Sequence, residues 1–211
     1  MDRHPFPLQA PDGPSPGAWR YWRPDDGMAV EIGTVRGREV ALPVHFHGED
    51  QVTLVHAGTR RFVIGGVLVA VGAGQALRIP AGMPHRSLSS PLDVACTNLY
   101  LPPGTDGDPG PILDWDTVSQ AARRAGLSRE GYSRRFKRLH GLAPQEFRLL
   151  DRLNAARCLL RSGESIAAVA ADTGFADQSH LGRCFRRAFG VTPGRYRAGL
   201  PHVGLVVTSV L

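Results

Sequence analysis

No apolar run in the chain approaches the roughly 20 residues that a membrane-spanning helix needs. The N-terminus, interrupted by Asp2, Pro5, Pro7, Pro11 and Pro14, lacks the apolar core of a secretory signal. Cysteine is scarce. Cys96, Cys158 and Cys184 stand far apart with no CxxC or other metal spacing, and they read as small core residues of a reduced protein. These absences lead to the expectation of a soluble, cytoplasmic chain without a membrane partner.

What is present is distributed unevenly. Residues 1–110 carry nine Arg and no Lys against eleven Asp and Glu, a net charge of −2, whereas residues 111–211 carry sixteen Lys and Arg against eight acids, a net of +8. The whole-chain charge of +6 therefore belongs to the second half. A basic half is the electrostatic footprint of a surface that faces phosphates, although an arginine-rich solvated surface has the same composition.

Texture changes at the same place. Residues 1–18 are rich in Pro and Gly without periodicity and read as a poorly ordered arm. From 19 to 101 short β-prone runs are cut by glycines: Met28–Val35, Gln51–His56, Arg61–Ile64, Val67–Val71, Ala76–Ile79 and Asp93–Leu101. Closely spaced short strands predict a sandwich or small barrel. Residues 102–111, built from Pro, Gly and Asp, read as a linker, and beyond them the apolar spacing turns helical. The expected fold is thus α+β in two domains, a β-barrel followed by an all-α region at 112–200, with an apolar tail at 201–211.

The second half repeats itself. Ala121-Ala122 corresponds to Val169-Ala170 and Gly126 to Gly174 at a displacement of 48 residues; Ser128 to Asp177, Tyr132 to Leu181, Arg134 to Arg183, Phe136 to Phe185, Gly141 to Gly190 and Pro144 to Pro193 follow at 49. In each copy a short Ala-rich helix ends at a glycine, and a Ser or Asp caps a second helix. Thr117 and Gln120 have the form of a capping box, and Ser165 starts the equivalent helix of the second copy. On the second helix of the first copy, Tyr132, Arg135, Phe136 and Leu139 fall on one side, and Glu130, Ser133, Arg134 and Lys137 on the other. In the second copy Leu181, Cys184, Phe185 and Ala188 face inward, leaving Ser179, Gly182, Arg183 and Arg186 outside. A helix face of short polar side chains around one Arg suits a major groove, where Arg pairs with guanine O6 and N7; a solvated face is the plain alternative.

Residues 143–162 read as one long helix joining the copies, apolar at Phe147, Leu150, Leu153, Leu159 and Leu160. Recognition helices entering successive major grooves must lie about 34 Å apart. Gln145, Arg148 and Arg152 read as surface positions or phosphate contacts.

The segment Ile166-Ala167-Ala168-Val169-Ala170 through Gly174-Phe175-Ala176-Asp177-Gln178-Ser179-His180-Leu181, then Phe185-Arg186-Arg187, Phe189-Gly190-Val191-Thr192-Pro193 and Tyr196-Arg197, resembles the AraC/XylS family's DNA-binding region over residues 117–198. The resemblance implies a transcription regulator with two helix-turn-helix units, and base-facing positions at Glu130, Ser133 and Arg134 and at Gln178, Ser179, His180, Gly182 and Arg183. Lys137 and Arg186 take the role of neighbouring phosphate contacts. The helices that usually precede the first unit and pair subunits in that family are reduced here to Ile112–Asp116. Gly182 in mid-helix costs roughly 1 kcal/mol against Ala, which leaves either close DNA approach or a weak spot.

The first half resembles a cupin. His45-Phe46-His47 with Gln51 and Gly58 fits the first cupin motif except that Gln51 replaces Glu, and Gly74, Pro80, Gly82 and His85 fit the second. The resemblance implies an effector pocket around His45, His47, Gln51 and His85. The same four residues are the candidate ligands for Fe, Mn, Ni or Zn, although Gln is a weaker ligand than a carboxylate. His56 lies outside the motif and reads as a core or surface residue, while Arg60, Arg61 and Arg78 could meet an anionic ligand or be solvated. Three readings stay open: a regulator, not an enzyme and without an obligatory cofactor, controlled by a small effector; a metal-dependent cupin enzyme fused to a DNA-binding module; and a ligand-independent DNA-binding protein. The expected partners are double-stranded DNA, a small-molecule effector, RNA polymerase for an activator, and a second copy of the chain.

Overall fold

The computed structural model describes residues 19–24, 29–104 and 117–199. The expected arm at 1–18, most of the linker at 102–111 and the tail at 201–211 lie outside these residues.

Among the described residues nine antiparallel strands build the first half: β1 (Arg20–Trp22), β2 (Glu31–Gly37), β3 (Leu42–His45), β4 (Asp50–Ala57), β5 (Thr59–Ile64), β6 (Val67–Gly72), β7 (Ala76–Ile79), β8 (His85–Leu88) and β9 (Val94–Leu101). They form a five-stranded sheet in the order β1-β2-β9-β4-β7 and a four-stranded sheet in the order β3-β8-β5-β6, so the predicted barrel takes the form of two sheets among the described residues. Inward residues alternate as a half-buried strand requires: Val94, Cys96, Asn98 and Tyr100 along β9, and Glu31, Gly33 and Val35 along β2. Glu31 is thus carried inside by the phase of its strand. Gly65 and Gly66, both at positive φ, make the two-residue turn that pairs Ile64 with Val67. Gly58, also at positive φ, lets β4 turn into β5 where any Cβ would fall on the Asp93 carbonyl. Strands β1, β3 and β8 are not among the predicted runs; Pro43 and His45 weaken the β signal of β3, His85 weakens that of β8, and β1 is only three residues long.

Six helices follow among the described residues: α1 (Val118–Arg124), α2 (Arg129–His140), α3 (Pro144–Arg161), α4 (Ile166–Asp172), α5 (Gln178–Phe189) and α6 (Pro193–Ala198). Their ends are written in the local sequence. Thr117 and Gln120 close the predicted capping box, and Ser128, Ser165, Asp177 and Thr192 each accept a hydrogen bond from a backbone N–H of the following first turn. Gly141 and Gly190 end α2 and α5 in the left-handed conformation at φ 72° and 75°. The repeat is therefore structural: α1–α2 and α4–α5 are two copies of one unit, joined by the 18-residue α3, about 27 Å long.

Periodicity misplaced a few side chains. Leu139 is 64% exposed rather than in the core, and Cys158 is exposed on the outer side of α3. Arg60 is buried, with its guanidinium bonded to the Val40 and Leu88 carbonyls and lying over Phe62. Arg61 bonds the Ser89 carbonyl, and Arg78 pairs with Asp50. These three arginines tie the strands together.

The two halves share one apolar interface. Phe46, between β3 and β4, stacks on Phe147 of α3 at 4.6 Å, and Asn154 of α3 donates to the Phe46 carbonyl. Trp19 sits against Gly190, leaving no room for a Cβ there, and the Tyr21 hydroxyl donates to the Phe189 carbonyl. Strand β1 thus seals the first half onto the end of α5.

Candidate functional site

The resemblance placed base-reading residues on α2 and α5, and the helix caps fix which face they occupy. Glu130, Arg134, Lys137, Gln178, Ser179, Arg183 and Arg186 are exposed, and Ser133, His180 and Gly182 half-buried. The opposite face of α5 is closed by Leu181, Phe185, Ala188 and Phe189, and that of α2 by Phe136. Open space surrounds the position of a Cβ on Gly182. The half that carries these two faces has the basic charge, so each helix offers hydrogen-bonding groups on a cationic background. Arg152 is differently employed. It donates to the carbonyls of Thr173 and Gly174 and lies 4.3 Å over Phe175, so it meets the C-terminal end of α4.

A second constellation lies inside the first half. His45 and His85, at the paired ends of β3 and β8, and His47, just beyond β3, are all buried, with ring centroids 4.4 to 5.3 Å apart. One ligand atom from each lies within 4.8 Å of the others. Burial holds all three imidazoles neutral, pushing His85 down to about 4 and His45 and His47 well below the ordinary histidine value. His45 Nδ1 meets the Pro43 carbonyl at 2.7 Å and His85 Nδ1 the Met83 carbonyl at 2.9 Å, contacts that place the ring proton on Nδ1 of both. Gln51 is buried beside them, but its amide donates to Thr53 Oγ1, which donates onward to Asn98.

Sequence reasoning missed the residue that joins the two constellations. Arg157 of α3 is 1% exposed and enters the interior of the first half, where Nη1 meets His47 Nδ1 at 2.9 Å and the guanidinium pairs with Glu31. Its centre lies 4.2 Å over Tyr100 and 5.1 Å over Phe189. Burial works against its charge, and Glu31 with the surrounding phenols outweighs that penalty, so Arg157 stays protonated. Tyr196 donates to Glu31, and Arg161 bridges Glu31 and Glu49. A cleft of about 770 Å³ opens where the two halves meet, lined by His85 and Arg86 on one side and by Arg138, Leu139 and His140 of α2 on the other.

Comparison with known proteins agrees with both halves. Residues 121–199 match the family model for a helix-turn-helix domain, and residues 32–90 that for a cupin domain. The transcriptional regulator MtrA of Neisseria gonorrhoeae is 35% identical over 88 residues, 41% of this chain and 29% of that protein. The transcriptional activator RhaS of Escherichia fergusonii is 39% identical over 88 residues, 41% of this chain and 31% of that protein. The second half of this chain is thus similar to a helix-turn-helix domain, and the first half to a cupin domain. The chain spans less than a third of the length of these two relatives. The fold also resembles that of a solved structure. Fatty-acid-bound ToxT of Vibrio cholerae shares the fold with a TM-score of 0.54 at 12% identity, over 82% of this chain and 96% of that one.

The motif in the first half implies a metal ion. Nε2 of His47 and of His85 are buried without a hydrogen-bond partner, and three converging neutral imidazoles are a fitting donor set for a borderline divalent ion. Gln51 adds no charge to that set, so the fit is to three nitrogens. Among the described residues no helix is long and apolar enough to cross a membrane.

Proposed function

We propose that this chain is a sequence-specific DNA-binding transcription regulator, with α2 and α5 as its recognition helices and the cupin half as its sensor. The observation that carries the reading is the pair of repeat-equivalent, side-chain-capped helices whose polar faces, centred on Arg134 and Arg183, are exposed while their apolar faces are closed. The names of MtrA and RhaS, a regulator and an activator, support it. Small-molecule control is supported by the cleft between the cupin half and α2, since a ligand there touches both, and by the fatty acid named for ToxT. Contact with RNA polymerase and pairing with a second copy belong to the same proposal. The test is selection of bound fragments from a genomic DNA pool, with and without candidate metabolites. Recovery of one shared motif supports the reading, and recovery of fragments in proportion to their abundance overturns it.

A second reading concerns the cupin interior. His45, His47 and His85 would hold Fe, Mn, Ni or Zn, which would supply a Lewis-acidic centre with an open position. The unpartnered Nε2 atoms support it. The engagement of His47 by Arg157 favours a sensory role over enzymatic turnover, because the DNA-binding half occupies the ground beside the site.

A further inference from the structure

We infer that the three-histidine site takes a divalent cation only when Arg157 has released His47, so that cation binding and the docked arrangement of α3 exclude one another. The inference rests on the metal reading above and adds a role for a residue of the DNA-binding half.

A guanidinium only donates, so at 2.9 Å from Arg157 Nη1 the His47 Nδ1 is the acceptor, and the single proton of the neutral ring sits on Nε2. His45 and His85 have the opposite arrangement, because their Nδ1 atoms face carbonyl oxygens that only accept. Two rings therefore turn a lone pair to the site and the third turns an N–H. For His47 to ligate through Nε2 its proton must move to Nδ1, where it would confront the Arg157 N–H, donor against donor. For His47 to ligate through Nδ1, that atom must give up Arg157 directly. Both routes break the contact, and a buried guanidinium beside a divalent ion adds like-charge repulsion.

Loss of this contact bears on the interface as a whole. Arg157, Asn154 and Phe147 dock α3 on the His45–His47 segment, and α3 also spans the two helix-turn-helix units. A cation in the cupin half therefore loosens the element that sets the spacing of the recognition helices.

The experiment is Co²⁺ titration of the full chain, followed by calorimetry and by the visible absorption of the bound ion, for the parent and for Arg157→Met. The variant should bind Co²⁺ on the order of tenfold more tightly or better. Equal or weaker binding by the variant overturns the exclusion and leaves the metal reading standing. Absence of Co²⁺ binding to both overturns the metal reading and this inference with it. A measurement on the parent alone covers the case in which Arg157→Met does not fold. Long-range ¹H–¹⁵N spectra of the metal-free chain should show the His47 proton on Nε2, and Zn²⁺ should move it and speed amide exchange over 154–161. A His47 proton already on Nδ1 without metal, or unchanged exchange with Zn²⁺ bound, overturns the proposal.

Discussion

Arg157 and Glu31 form an ion pair across 126 positions of sequence, with both side chains closed to solvent at 1% and 0% exposure. The pair crosses from the helix that spans the two repeated helical units to the second strand of the first half, so the two halves share one charged centre.

Removing one partner of such a pair leaves the other charge buried and uncompensated, which costs about 3–5 kcal/mol. Arg157→Met and Glu31→Gln should each lower stability to urea by that order. The double variant should lose less than the sum of the two, because neither charge is then stranded. Single variants within about 1 kcal/mol of the parent would show that water enters the pair and that it does not hold the halves together.

The buried histidines make stability fall with acid. His85 is held at about 4 in the folded chain against an unfolded value near 6.5, so the unfolded state binds its proton first as pH drops, and stability is lost between those values. The change from pH 7 to pH 5 is about 2 kcal/mol for His85 alone, and the shifts of His45 and His47 act in the same direction. Urea unfolding at the two pH values checks it. His85→Asn should reduce the difference, and an undiminished pH dependence in that variant would place its origin elsewhere.

On the proposed reading, substitution of Gly182 should separate helix stability from DNA contact. Nothing lies within 4 Å of a Cβ built there, so Gly182→Ala should stabilise the free protein by about 1 kcal/mol through helix propensity. The added methyl projects from the face that carries Ser179, Arg183 and Arg186, so specific DNA binding should weaken at the same time. A variant that gains stability and binds DNA unchanged would make Gly182 a plain weak spot.

Much of this was readable from local sequence. Thr117, Ser128, Ser165 and Asp177 cap their helices by hydrogen bonds to the next turn, and such short-range chemistry is visible in the residue order. The histidines of the cupin motif converge because β3 and β8 pair at His45 and His85, a register that the motif resemblance carries. The Arg157–Glu31 link was invisible for a different reason. Arg157 shares the helical stripe of Leu153, Ala156 and Leu160, and Glu31 the inward phase of Gly33 and Val35, so each is a charge at a core position. That phase was the available signal, but periodicity cannot say which distant charge is the partner. Leu139 failed in the opposite sense: its phase is right for a core, and the cupin half leaves it over a cleft.

The doubled readout is tested at Arg134 and Arg183. They are repeat equivalents, each exposed on its helix opposite a closed apolar face, so on the proposed reading each should address its own stretch of major groove. Replacing either with Ala should remove a base contact and cost about 1–3 kcal/mol of specific binding, with preference relaxed in one patch of the site and kept in the other. Lys137 and Arg186 lie farther along the same helices, where a phosphate contact carries no base information, so Lys137→Ala and Arg186→Ala should weaken all sequences alike and reduce the salt dependence by about one phosphate each. Binding selections on the four variants read both effects. Two separate patches of lost preference, about one helical turn apart, are the expected result. If Arg134→Ala and Arg183→Ala lose preference at the same base pairs, or bind specific DNA as the parent does, the two units do not read one site side by side.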